Sequence, residues 1–191
     1  MLGTLALEGC STTPYAAGVA AVRQGRYAEA VTQYEAALNR DPDRLDALVG
    51  LGIARYKLGA LGEAIEVLER AVARAPAVAT ARLYLGLSYL RNGDVSRADE
   101  HLTAFVGLNP DRRLAAQADR ALTLIRAGPL PGETRAFVAA SLEDEAELVQ
   151  EATEAWRALD YERYNRWYYP YYPGSFFGPG CYGRAGRLRC F

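Results

Sequence analysis

Between residues 111 and 126 the apolar side chains Leu114, Ala118, Leu122 and Ile125 keep helical spacing, while Arg112, Arg113, Asp119, Arg120 and Arg126 take the polar positions. That pattern predicts an amphipathic helix with one buried stripe. Upstream, apolar-periodic segments return at a fixed period of 34 residues without a gap: Gly18, Gly52 and Gly86 form one column, Gly25, Gly59 and Gly93 a second, Ala30, Ala64 and Ala98 a third, and Pro42, Pro76 and Pro110 a fourth. Each column suits a helix-turn-helix unit. Glycine inside a helix costs about 1 kcal/mol against alanine, so the first column predicts close helix approach. The second stands where a left-handed residue ends a helix. The alanines let a second helix sit close to the first, and the prolines cannot continue it. Beyond 126, Gly128-Pro129-Leu130-Pro131 is a breaker run. A further helix is predicted from Ser141-x-x-Asp144, a capping-box-like start with acidic Glu143, Asp144, Glu145 and Glu147 in its first turns, running to about Arg163. A short helical turn over Thr134 to Ala140 precedes it in this reading, and no segment alternates convincingly as a strand.

Leu51-Gly52, Leu85-Gly86-x-x-Tyr89 and Ala30-x-x-x-Tyr34 stand at fixed places in this period, and together they resemble the tetratricopeptide repeat (TPR), an antiparallel helix pair that stacks into a right-handed superhelix. Pro14, Leu48 and Arg82 occupy the place of the usual first-helix aromatic, and Leu68 and Leu102 that of a later one. The resemblance implies an all-α fold with repeats at 11–44, 45–78 and 79–112; the residues beyond add a capping helix over 111–127 that closes the 14–127 array, a linker at 128–132, a helical segment over 133–165 and an irregular aromatic tail over 166–191. It also implies that the first helices line a concave groove. In this register the groove carries Val19, Ile53 and Leu87, then Val22, Tyr56 and Leu90, then Arg23, Lys57 and Arg91: an apolar floor beside a basic ladder. A hydrophobic helix or extended peptide with acidic groups suits such a surface, although a cation in a last helical turn also simply complements the dipole. No Asn stands at the ninth repeat position, which argues against a chaperone-type carboxylate clamp. The floor is also open to cover from within, by the helix that ends near Trp156 and Trp167.

The N-terminal stretch, residues 1–13, runs from apolar residues through Leu7-Glu8-Gly9-Cys10 into a Ser/Thr/Pro linker. It resembles a truncated bacterial lipoprotein signal, which implies acylation of Cys10, a lipid anchor and the periplasmic face of an outer membrane. The alternative is a cytoplasmic chain with a chance cysteine. In an oxidising compartment Cys181 and Cys190 form a candidate disulfide around Gly183 to Arg187; in a cytosol they stay free thiols. From Tyr161 onward the chain concentrates Tyr, Phe, Pro and Gly, with Arg184, Arg187 and Arg189 and no acid after Tyr168. Such a tail is either a weakly ordered low-complexity segment or a binding surface for a partner or an envelope polyanion.

Composition narrows the function. With 22 basic and 23 acidic residues the net charge is -1, so no basic field holds nucleic acid. His101 is the only imidazole and three cysteines the only thiols, which leaves no donor set for a usual zinc site and no acid–base pair for catalysis. The expectation is a noncatalytic protein without cofactor or metal that binds a protein or peptide through its groove, as a lipid-anchored envelope scaffold, a cytoplasmic adaptor, or an envelope-polymer binder acting through its tail.

Overall fold

A computed structural model describes residues 13–108, 111–168, 181–184 and 187–190. Three helix pairs follow one another: α1 (Pro14–Arg23) with α2 (Tyr27–Arg40), α3 (Leu45–Lys57) with α4 (Leu61–Arg74), and α5 (Ala79–Asn92) with α6 (Val95–Leu108). Then come α7 (Arg112–Arg126) and α8 (Gly132–Tyr168). The chain divides into two compact units, residues 1–149 and 150–191.

The array starts where its caps require. Thr13 accepts from the backbone N–H of Ala16, and Pro14 takes the first-turn place where a missing N–H costs nothing. Asp111 caps α7 by accepting from Arg113 and Leu114 N–H, both at 2.9 Å. Inside each pair the turn is closed by backbone alone. Gly25 N–H donates to Val22 O at 2.9 Å and Arg26 N–H to Ala21 O at 2.8 Å; Gly59 and Ala60 repeat this with Tyr56 and Arg55, and Gly93 and Asp94 with Leu90 and Tyr89. These are Schellman closures, and their left-handed residue, at φ 70°, 78° and 96°, is why glycine returns there. The second helices α2 and α4 end just before the prolines, with Asp41 (φ -139°) extended ahead of Pro42 and Ala75 (φ -138°) leaving helical geometry ahead of Pro76. Pro110 lies outside the described residues.

The other glycine column admits a side chain from the partner helix. A Cβ on Gly18 would stand 2.9 Å from the Tyr34 ring, on Gly52 2.4 Å from Leu68 Cγ, and on Gly86 2.8 Å from Leu102 Cγ. Each knob lies sixteen residues after its glycine, so the same insertion is built in every pair. Tyr34 also presses on Gly50 of the next unit, which ties the first two pairs together. Neighbouring helices pack in chain order from α1 to α7. The first helices also touch each other, α1 against α3 and α3 against α5, whereas α2, α4 and α6 do not. The first helices therefore line the inner, concave side of a superhelical stack.

Two segments differ from the sequence reading. Helix α8 begins at Gly132 and runs unbroken through Ser141, so Ser141 is no cap; its hydroxyl accepts from Gln117 Nε2 at 2.8 Å. The capping-box pattern therefore falls on an interior turn, and the true first turn carries Glu133. In the second unit, beside the rest of α8, the tail expected as irregular contains an antiparallel hairpin, β1 (Cys181–Arg184) and β2 (Arg187–Cys190). Strands of four residues are too short to show a period.

Candidate functional site: the concave wall

The nine residues expected to line the groove grade from open to closed along the array. On α1, Val19 and Val22 are half-buried and Arg23 is exposed. On α3, Ile53 and Lys57 are half-buried while Tyr56 is fully buried. On α5, Leu87 and Leu90 are fully buried and Arg91 is half-buried. Every residue of α5 from Leu83 to Leu90 is buried, so no side of that helix faces solvent. An inner helix of an open stack would expose one face; here something covers it.

The cover is the first part of α8. Val138, Ala139 and Leu142 are buried in the same core as Leu87 and Leu90, and Ala146 and Val149 pack against it. These residues recur at three- and four-residue intervals on one face. Beside that stripe stand Glu143 and Glu147, one turn apart. Lys57 Nζ forms ion pairs with both carboxylates, and Tyr56 donates its hydroxyl to Glu143 at 3.0 Å. Gln117 on α7 donates to Ser141, and Arg113 stands 3.6 Å from Glu145. All of these contacts reach α8 from α3 and α7.

Burial sets the electrostatics. The Lys57 side chain is 17% exposed and that of Glu143 12%. Burial alone would lower the lysine pKa, but the hydrogen bonds that Lys57 donates to Glu143 and Glu147 outweigh it and hold Lys57 above the ordinary lysine value. Burial raises the phenols of Tyr56 and Tyr84, whose rings meet edge to face with centroids 5.4 Å apart. Arg91 lies over the Tyr56 ring at 4.8 Å and donates to the Tyr56 carbonyl at 3.3 Å, so this rung of the ladder braces the floor.

The sequence presents Glu143 and Glu147 as acids of a first helical turn; on the interior of α8 Glu143 is half-buried against Lys57, and Glu147 reaches the same lysine from an exposed place. Their signal was their place: both flank the apolar stripe of Leu142, Ala146 and Val149 instead of opposing it. Tyr84, also buried here, carried no such signal.

His101 is half-buried, stacked on Tyr89 with centroids 5.6 Å apart and planes within 6°, and Arg82 Nη1 lies 3.0 Å from its Nδ1. Burial lowers its pKa. A depression of about 520 Å³ beside α7 is lined by Arg112, Arg113, Ala116, Arg120 and Glu145. Among the described residues no cluster of His, Cys, Asp or Glu is placed to hold a metal, and no helix is long and apolar enough to cross a membrane. Cys10 lies outside the described residues. Cys181 stands directly opposite Cys190 in the hairpin register.

A family model described as tetratricopeptide repeat matches residues 15–79 and, again, 54–113. No curated protein matches the chain in sequence. Similar solved structures include the type III secretion translocator chaperone SycD of Yersinia enterocolitica, 18% identical, with a TM-score of 0.57 over 60% of this chain and 81% of that one. The first TPR of Spaghetti (RPAP3) bound to an HSP90 peptide is 20% identical, with a TM-score of 0.56 over 60% and 94%. The MamA RS-1 ArsTM double mutant is 26% identical, with a TM-score of 0.56 over 70% and 75%.

Proposed function

Because the chain belongs to the tetratricopeptide repeat family, we propose that it is a noncatalytic scaffold that gathers a protein partner on its concave wall while lipid-anchored in a bacterial cell envelope. The observation that carries the scaffold is the wall itself: apolar and basic residues recurring at the same places of successive first helices, with Val19, Val22 and Ile53 only half-buried. A surface with apolar anchors and flanking cations suits a peptide or helix. The peptide bound by the similar RPAP3 domain supports the same use of the fold. The one imidazole in the chain is stacked on Tyr89 beside Arg82, which supports a structural role for it instead of an acid–base one.

The anchor rests on Leu7-Glu8-Gly9-Cys10. Acylation there holds the chain at the periplasmic face of the outer membrane without any spanning helix. The register of Cys181 with Cys190 supports an oxidising compartment: directly opposed strand residues stand about 4.5–5.5 Å apart at Cα, within disulfide reach. A two-stranded hairpin on its own is marginal in water, so a crosslink between the two strands would stabilise it.

Metabolic labelling with a fatty-acid analogue is expected to mark the wild-type chain and not Cys10→Ser; equal marking, or none, removes the anchor and leaves a cytoplasmic adaptor. Crosslinking in native membranes is expected to capture a partner with the wild type and lose it with Val19→Asp or Ile53→Asp. Capture indifferent to both substitutions but lost on truncation at Tyr161 would move binding to the aromatic, arginine-bearing tail.

A further inference from the structure

A wall made to hold a partner is, over its second and third units, already holding a helix. That occupant is residues 132–149 of α8, and its chemistry states what the wall accepts. Leu142 enters the core as the apolar anchor, and Glu143 and Glu147 close on Lys57 from successive turns. Tyr56, itself buried, adds a directed hydrogen bond to one of the two carboxylates. Such a seat selects: an apolar helix without acids would leave the Lys57 ammonium and the Tyr56 hydroxyl buried and unpaired, which is costly.

The occupant is thinly held. Val138, Ala139 and Leu142 are its only fully buried side chains, whereas Phe137 and Leu148 on the same helix face solvent. It is joined to α7 through Ala127 to Pro131, which form no helix or strand and include Gly128 at φ 152°. The array, by contrast, is closed unit by unit through its own Schellman hydrogen bonds and glycine insertions, which are made without α8; the helix touches only the third turn, where the Arg135 guanidinium lies against Gly93. Release of α8 therefore leaves those joints intact.

Resting on the scaffold reading above, we infer that the partner is a separate protein presenting an acidic amphipathic helix, with an apolar anchor followed by two carboxylates one turn apart, and that it binds by taking the place of α8 on Lys57 and Tyr56. The first part of α8 acts as a built-in competitor. The apparent affinity of the wall is the intrinsic affinity scaled by the fraction of chains in which α8 is released.

The probe is a fluorescently labelled synthetic peptide with the sequence of residues 132–149, read by polarisation against the full chain. Wild type is expected to bind weakly, and the chain carrying Leu142→Asp, Glu143→Gln and Glu147→Gln at least tenfold more tightly. Adding Lys57→Gln, or changing both peptide glutamates to glutamine, should remove at least tenfold of that affinity. Equal binding by wild type and the triple variant, or binding indifferent to Lys57, overturns the proposal. So does a triple variant that elutes as a dimer dissociated by the peptide, since a second copy would then be the natural occupant. Hydrogen exchange on wild type guards against a variant that fails to fold: amides of 138–149 are expected to exchange at least tenfold faster than the slowest in α5. Equal rates mean that α8 leaves only when the whole array unfolds, and the proposal falls. That result leaves the scaffold reading standing if crosslinked capture still depends on Val19 and Ile53.

Discussion

Tyr56 donates its hydroxyl to Glu143 at 3.0 Å, joining positions 87 residues apart in the chain. The same carboxylate closes an ion pair with Lys57, the next residue along α3. One acid thus satisfies two neighbouring groups in a largely buried place.

Lys57 and Glu143 are consequently expected to be thermodynamically coupled. Lys57→Met and Glu143→Gln should each destabilise the chain, and a double-mutant cycle by urea unfolding should return about 1–3 kcal/mol of interaction. Tyr56→Phe should cost less, about 1 kcal/mol, because the lysine still meets the acid. A coupling within error of zero would mean that the pair is solvated as an ordinary surface bridge.

Stability should fall as pH rises above about 10. The unfolded chain ionises its tyrosines near that pH, while burial pushes Tyr34 up to about 12 and holds Tyr56 and Tyr84 above their ordinary value. Lys57 also keeps its proton longer than an unfolded lysine. Above pH 10 the folded chain therefore binds more protons than the unfolded one, and the slope of unfolding free energy with pH is negative. Urea midpoints at about pH 9 and about pH 11 measure it, with tyrosinate absorbance expected to rise together with loss of helix.

The glycine column makes a contrast inside one unit. Gly52→Ala places a methyl 2.4 Å from Leu68 Cγ and is expected to cost about 1–3 kcal/mol by overpacking. Gly62→Ala, in the first turn of α4 with nothing within 4 Å of its added Cβ, should gain about 0.5–1 kcal/mol. Thermal melts of the two variants should move in opposite directions.

At His101 the sign runs the other way. Its pKa is lowered by burial, with Arg82 acting in the same direction, so the fold favours the neutral ring. The associated stability is present above the unfolded value near 6.5 and is lost as pH falls through it. His101→Phe keeps a ring against Tyr89 and should flatten the pH dependence of the urea midpoint between about pH 5 and about pH 7.5.

The array was legible because its demands on the backbone repeat. Gly25, Gly59 and Gly93 must each take positive φ, and Gly18, Gly52 and Gly86 must each admit a knob, so the same residue returns at the same interval. The cover was harder to read. Ser141-x-x-Asp144 imitates a helix start, and nothing local says that the chain is already helical from Gly132. Glu143 and Glu147 match any acidic first turn until Lys57, some ninety residues earlier, is known to face them. Leu87 and Leu90 were readable as wall residues, but their burial depends on a partner distant in sequence. The hairpin that sets Cys181 against Cys190 gives too few alternations to be recognised in advance.

The three glycine closures also bear on how this chain can change length. Each is made wholly by atoms of its own unit, from Ala21 to Arg26, Arg55 to Ala60 and Tyr89 to Asp94. A further copy spliced in ahead of Leu45 would bring its own hinge and need only offer Tyr34 a glycine where Gly50 now stands. Growth or loss of whole modules is therefore cheap for this scaffold, and an evolving lineage can match the span of its inner surface to a longer or shorter guest without inventing a single new bend.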